Sequence, residues 1–229
     1  MTAPDHATNL FAALLGPEPT WEACACGALV SQAPCWDCDM DGLRKRDRGE
    51  LSGVPRGYLW ATPDAPELVE RVRLHPDHIA RGMTVLGALE RLRGASRALL
   101  IGPAQRGKTS LAVAALRARR AEAFFVRAET LGLARQQARL GTGEAKLVDR
   151  ASSTELLLLD DLGSEGDHEA RIQAVRDVLF GRYEDRAATW VTTGLGSAQL
   201  ERRYGAGILA RLKSSTTIHM APLGVEVPI

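Results

Sequence analysis

The stretch Leu99-Leu100-Ile101-Gly102-Pro103-Ala104-Gln105-Arg106-Gly107-Lys108-Thr109-Ser110 constrains this chain more than any other. An apolar run short enough for a buried strand enters a loop of the form G-x-x-x-x-G-K-[ST], and Leu111-Ala112-Val113-Ala114-Ala115-Leu116 continues as helix. Strand, glycine-bearing loop and helix in that order form a cradle for phosphate. Gly102 and Gly107 let the backbone turn tightly and aim its N–H groups at an anion, while the helix presents its positive N-terminus to the same point. The residues expected to hold a nucleotide are therefore Gly102, Pro103, Ala104, Gln105, Arg106, Gly107, Lys108, Thr109 and Ser110. Lys108 is expected to reach the β- and γ-phosphates, and Thr109 to offer its hydroxyl to Mg²⁺, a hard cation that takes oxygen ligands.

A second signal lies about fifty residues downstream, the separation expected within one α/β domain. Leu156-Leu157-Leu158-Leu159-Asp160-Asp161-Leu162-Gly163 is an apolar run that ends in two carboxylates, as a buried parallel strand does where it reaches the ligand edge of an open sheet. Asp160 is expected to hold the magnesium through its water shell, and Asp161 to orient or deprotonate an attacking water. Further strands are read at Ala123–Arg127, Thr189–Gly194 and Thr216–Met220. Helices are expected over Glu67–Arg73, Met83–Arg93 (Val85, Leu86, Leu89 and Leu92 on one side), Thr130–Leu140, Gly143–Ala151, Ala170–Arg186, Ser197–Arg203 and Gly207–Lys213. This alternation predicts an α/β fold, a parallel five-stranded sheet with helices on both faces.

The chain ahead of this domain has a different character. All four cysteines fall there, as Cys24-Ala25-Cys26 and Cys35-Trp36-Asp37-Cys38. Two close pairs joined by a short loop suit a tetrahedral Zn²⁺ site, and a segment too short to build its own core would draw folding free energy from the metal. A disulfide pairing, disfavoured in a reducing compartment, and unrelated free thiols are the alternatives. The expected division is a small zinc-binding unit over 1–43, a linker and lead-in over 44–66, and the nucleotide domain over 67–229. In the lead-in, Tyr58 or Trp60 can line the base of the nucleotide or pin the linker as core aromatics.

Composition bounds the rest. With 45% apolar and 25% charged residues the chain has the balance of a soluble protein, and it contains no apolar run of about 18 residues that would cross a membrane. The N-terminus lacks a basic stretch leading into an apolar one, so a cytoplasmic location is expected. A net charge of +1 announces no nucleic-acid binder, and any DNA contact must be local, with Arg135, Arg139 and Arg150 as candidates or as a solvated helical face.

On these residues the chain resembles the AAA+ ATPases of the DnaC/DnaI helicase-loader and IstB-like family. The matching motifs are Val54-Pro55-Arg56-Gly57-Tyr58, Gly107 to Ser110, Asp160 to Gly163, and a box from Tyr204 to Leu212. The resemblance implies a P-loop NTPase fold without a C-terminal lid and Arg211 as an arginine finger toward a neighbouring subunit's γ-phosphate. It also likens the cysteine-bearing unit to the partner-binding domain of some loaders. Where the family's sensor strand ends in Asn this chain has Gly194, so water positioning falls to Thr193 or is weak. The leading expectation is an ATP-dependent loader that self-associates through its ATP site and delivers a DnaB-type replicative helicase to single-stranded DNA. A transposition helper that binds duplex DNA and a transposase is the alternative, as is an adaptor that binds nucleotide with little hydrolysis.

Overall fold

The computed structural model of the chain describes residues 22–23, 29–30, 51–119, 122–138 and 143–224. Two compact units divide the chain, 1–46 and 47–229. The first contributes β1 (Glu22–Ala23) and β2 (Leu29–Val30), an antiparallel pair. The cysteines expected to bind zinc, Cys24, Cys26, Cys35 and Cys38, lie outside the described residues.

The second unit is built on a parallel sheet of six strands, where five are expected from the sequence. They are β3 (Leu51–Ser52), β4 (Arg97–Ile101), β5 (Ala123–Arg127), β6 (Leu156–Leu162), β7 (Ala188–Thr193) and β8 (Thr216–His219), in the spatial order β3-β5-β6-β7-β4-β8. The additional strand is β3, which pairs Leu51 with Ala123 and Ser52 with Phe124 at one edge. A two-residue strand carries no periodicity, so nothing in the sequence separates it from a linker. Gly53 ends it: φ is +82°, and a Cβ there would come within 2.3 Å of the Phe125 carbonyl oxygen.

Successive residues of each strand point to opposite faces and so feed two cores. Ala98, Leu100, Phe125, Leu156, Leu158, Trp190 and Ile218 pack on one face with α1 (Pro66–Arg71), α3 (Val85–Arg93) and α4 (Lys108–Arg119). A short α2 (Pro76–Ala80) joins α1 to α3. Leu99, Phe124, Val126, Leu157, Leu159 and Val191 face the other core. There they meet α5 (Ala128–Gln137), α6 (Lys146–Ser153), α7 (Glu169–Glu184), α8 (Ser197–Tyr204) and α9 (Ala206–Lys213). Helices thus cover both faces, as expected.

In α4 every residue from Ser110 to Leu116 is buried, which is why its sequence is apolar all round rather than striped. In α3 the inward residues are Val85, Ala88, Leu89 and Leu92, at the i, i+3, i+4, i+7 spacing, whereas Leu86 falls off that stripe and is 56% exposed. Thr84 caps the helix, its hydroxyl accepting the Gly87 N–H at 3.0 Å.

Between α1 and α2 the chain runs extended as a strap over Val72–His75. Arg73 N–H donates to the Arg106 carbonyl at 3.1 Å, and Ala221 N–H donates to that of Arg73 at 2.8 Å. Leu74 bridges Met220 antiparallel, and His75 N–H donates to the His219 carbonyl at 2.9 Å. The strap thereby fastens the phosphate loop to the end of β8.

Arg182 of α7 is 1% exposed and binds the far end of the sheet together. Its guanidinium donates to the carbonyls of Ala151, Ser152, Thr154, Glu155 and Ala188, and to the Thr189 hydroxyl. It thus satisfies acceptors that the end of α6 leaves unpaired. Burial pushes its pKa down to about 10, with Asp185 opposing. Arg182→Met is expected to cost about 3 kcal/mol or more, because several buried carbonyls lose their donor at once. Denaturant unfolding measures this, with Arg182→Lys recovering only part.

Candidate functional site

The loop between β4 and α4 forms one wall of a cavity of about 730 Å³ at the C-terminal edge of the sheet. Its shape depends on two close approaches. Gly102 has φ +145°, and a Cβ there would lie 2.8 Å from that of Met220. Gly107 has φ +80°, and a Cβ would meet the Val72 Cα at 2.8 Å and the Arg71 carbonyl oxygen at 2.9 Å. Gln105 holds φ +59° at the loop's crown, a conformation that costs a non-glycine residue free energy.

Lys108, the first residue of α4, is 8% exposed and folds its ammonium back onto the loop, donating to the Gly102 and Pro103 carbonyls at 2.7 Å each. Burial pushes its pKa down, and the charges of Asp161 and Asp160 hold it up. Ala104, Gln105, Arg106, Gly107, Thr109 and Ser110 complete this wall.

Opposite stands the end of β6. Asp160 is 3% exposed, and its Oδ1 accepts two hydroxyls, from Thr109 and from Thr192, each at 2.7 Å. Burial raises its pKa, and the two hydroxyls oppose that rise. The β6–β7 register slips between Leu159 and Leu162, and at this bulge Asp161 takes φ +55° and turns outward into the cavity. The Asp161 N–H donates to the Thr192 Oγ1 at 2.9 Å, so one threonine holds the Asp160 carboxylate and the Asp161 backbone.

The turn after Asp161 is anchored from below. Glu165 is fully buried and accepts the Gly163 N–H at 3.0 Å, the Arg203 Nε at 2.7 Å and the Tyr204 hydroxyl. Burial and the Glu165 charge push the Tyr204 phenol up, so it stays protonated as a donor.

Other residues singled out from the sequence lie outside this cavity. Thr193 does not line the cavity: its hydroxyl donates to the Leu162 carbonyl at 2.7 Å and accepts the Leu195 N–H at 3.0 Å, leaving Thr192 as the cavity-facing threonine of β7. Arg211 also lies outside it, with its guanidinium 4.5 Å from the Phe180 ring centroid and 4.8 Å from that of Tyr183. The DNA-facing candidates are engaged in the fold: Arg135 pairs with Glu144 and Asp177, and Arg150 donates to the Ser52 hydroxyl and covers the Phe124 ring. Arg139 lies outside the described residues.

Of the two lead-in aromatics Tyr58 lines the cavity, whereas Trp60 sits under Arg71 and donates to the Gly57 carbonyl. Residues not anticipated from the sequence also line the cavity, among them Arg71, Arg73, Arg127, Glu129 and Ser164. Arg127 was legible by the rule that identifies Asp160, since the two pair in register near the C-terminal ends of neighbouring parallel strands.

A basic loop around a helix N-terminus, facing a buried carboxylate that a loop hydroxyl already touches, suits a triphosphate with its divalent cation. The sequence pattern of the family described as IstB-like ATP binding protein matches residues 71–219. The chain belongs to this family.

Among solved structures, this IstB-like chain resembles the crystal structure of the DnaC helicase loader, with TM-score 0.57 and 20% identity over 72% of this chain and 99% of that one. The crystal structure of DnaI matches with TM-score 0.57 and 20% identity over 75% and 96%. A structure of the replication initiator DnaA bound to AMPPCP and single-stranded DNA matches with TM-score 0.51 and 19% identity, over 68% of this chain and 50% of that one. These likenesses show a shared fold. Comparison with curated proteins finds no match.

Gly107→Ala is expected to weaken binding of an adenine nucleotide by about tenfold or more, since the strained φ and the contact with Val72 deform the loop at a cost of about 1–3 kcal/mol. Titration calorimetry with ATP measures this, and unchanged affinity would contradict the assigned cradle.

Proposed function

We propose that this chain is a magnesium-dependent ATPase that assembles on ATP and loads a DnaB-type replicative helicase onto single-stranded DNA. The observation that carries the ATPase reading is the contact of Thr109 and Thr192 with one buried carboxylate, Asp160, beside the ammonium of Lys108. Lys108 exchanges its two loop carbonyls for the β- and γ-phosphate oxygens. Thr109 and Asp160 are the residues that would hold the magnesium, the carboxylate through water. Once bound, that cation neutralises charge building on the phosphates. Asp161, turned into the cavity by the β6 bulge, takes the role of orienting or deprotonating the attacking water.

With the Thr193 hydroxyl tied to Leu162 and Leu195, and Gly194 at the strand end, no sensor side chain from β7 beyond Thr192 is offered to that water. Slow hydrolysis follows, which suits a switch whose ATP state must last. Arg211 lies outside its own cavity, a placement compatible with reaching a neighbouring subunit's γ-phosphate after leaving the Phe180 and Tyr183 rings. Nucleotide and self-association would then be thermodynamically linked. Zinc on Cys24, Cys26, Cys35 and Cys38 belongs to the same proposal, as the organiser of the helicase-binding unit. A cytoplasmic place is part of the same proposal; no helix among the described residues is long and apolar enough to cross a membrane.

The match to the IstB-like family favours a second reading, a transposition helper acting with a transposase on duplex DNA. Steady-state ATP turnover is expected to fall by about 100-fold or more in Asp161→Asn, with the general base gone, and to vanish in Lys108→Ala. Equal background from all three proteins would leave a nucleotide-binding adaptor instead. Capture of purified DnaB-type helicase by the zinc-loaded chain supports the loader, and capture of a transposase alone supports the helper.

A further inference from the structure

Three histidines and two arginines gather at the β8 edge of the sheet, outside the nucleotide cavity. Two hollows, of about 520 Å³ and about 390 Å³, share His78, Arg81 and His219 in their walls. The larger is completed by Arg91, Thr217, Met83, Gly82 and Gly87 and has no carboxylate in its lining. The smaller adds His75 and Asp77. The rings of His78 and His219 stand 5.8 Å apart, and those of His75 and His219 stand 6.4 Å apart. Neither Arg81 nor Arg91 has an ion-pair or hydrogen-bond partner for its guanidinium among the described residues, whereas the nearby Glu90 is already paired with Arg93 at 3.2 Å. The larger hollow is therefore open and cationic, and Asp77 in the adjoining smaller one is the carboxylate nearest to it in the two linings.

We propose that this hollow holds phosphates of a single-stranded DNA backbone, with Arg81 and Arg91 as fixed cations and His219 as a cation gained on acidification. Solvated arginines on an open surface bind one free phosphate weakly. A strand sums several such contacts and releases counterions with each, so a polyanion is the ligand this surface favours. The two arginines come from different elements, the end of α2 and the last turn of α3, so they span the hollow rather than converge on one point. The choice of DNA as the source of the phosphodiester rests on the loader reading; the anion chemistry does not.

The histidines divide by hydrogen bonding. His78 Nε2 accepts the His219 backbone N–H at 3.0 Å, which keeps that imidazole neutral. His75 Nδ1 accepts the Asp77 N–H at 3.2 Å. Its Nδ1 also lies 3.6 Å from the Asp77 carboxylate, whereas the His219 ring has no hydrogen bond among the described residues and is open to a ligand in both hollows. Facing it are His75, His78, Asp77 and Arg81 from α2 and its cap, Arg91 from α3, and the uncharged Thr217 of β8. Burial and then His75 push its pKa down, with Asp77 opposing, so it is neutral near pH 7 in the free chain. An arriving phosphate favours the imidazolium, so binding takes up a proton and tightens as pH falls.

Fluorescence anisotropy of a labelled oligothymidylate, with the full chain at about pH 6 and about pH 8, tests this. The natural chain is expected to bind about threefold to tenfold tighter at the lower pH, and His219→Gln to lose that difference. Arg81→Ala and Arg91→Ala are expected to weaken binding at both pH values and to reduce the slope against log salt by about 0.7 each. Nucleotide binding, measured on the same variants, should stay unchanged. Arginine variants with natural DNA affinity and intact nucleotide binding would overturn the proposal alone. Displacement of the oligonucleotide by inorganic phosphate at equal phosphate concentration would overturn it too, as the mark of a small-anion site. If the natural chain binds DNA in this pattern but takes up no ATP, the nucleotide reading fails and this one stands.

Discussion

A single buried carboxylate, Asp160, tied by hydrogen bonds to threonines of two other elements, is the contact on which the rest of the site depends. Removing a carboxylate from water is costly unless donors meet it, and here one donor comes from α4 and one from β7. The same Thr192 oxygen accepts the Asp161 N–H and fixes the bulge that turns the second carboxylate outward. Two strand ends and a helix start are thereby registered on one oxygen atom. Such preorganisation lets bound charge be met without rearranging the protein.

The close packing of two glycines extends this registration outward. Gly107 admits the strap of Val72–His75 to within contact of the phosphate loop, and Gly102 does the same for Met220. The strap then pairs with the end of β8, where the histidine and arginine hollow lies. The nucleotide cavity and that hollow are thus the two ends of one short extended segment. Any shift of the loop at Gly107 bears first on Val72, and through Leu74 on Met220 and its neighbour His219.

Much of this was legible in the sequence because it resides in local chemistry. The glycine-lysine-threonine loop, the apolar run ending in two aspartates and the alternation of strand and helix each state a physical requirement within a few residues. What escaped was of another kind. The edge strand Leu51–Ser52 is too short to show a period, and its partner Phe124 is distant in sequence. The exchange of Thr193 for Thr192 turns on which of two adjacent strand residues faces the cavity, and the β6 bulge shifts that register. Arg135 and Arg150 read as DNA contacts or a solvated helical face because their partners, Glu144, Asp177 and Ser52, become neighbours only in the fold. Arg182 and the Glu165–Arg203–Tyr204 cluster were invisible for the same reason: a buried charge announces itself only through what surrounds it.

The contacts of Lys108 with the loop carbonyls and of Thr109 with Asp160 hold the places of phosphate and metal. A crystal structure with magnesium and a nonhydrolysable ATP analogue tests it most directly. The account predicts Lys108 Nζ moved from the Gly102 and Pro103 carbonyls to phosphate oxygens, and the cation on Thr109 Oγ1 at about 2.1 Å with Asp160 reaching it through water. A triphosphate bound with Lys108 still on those carbonyls and Thr109 still on Asp160 would contradict it.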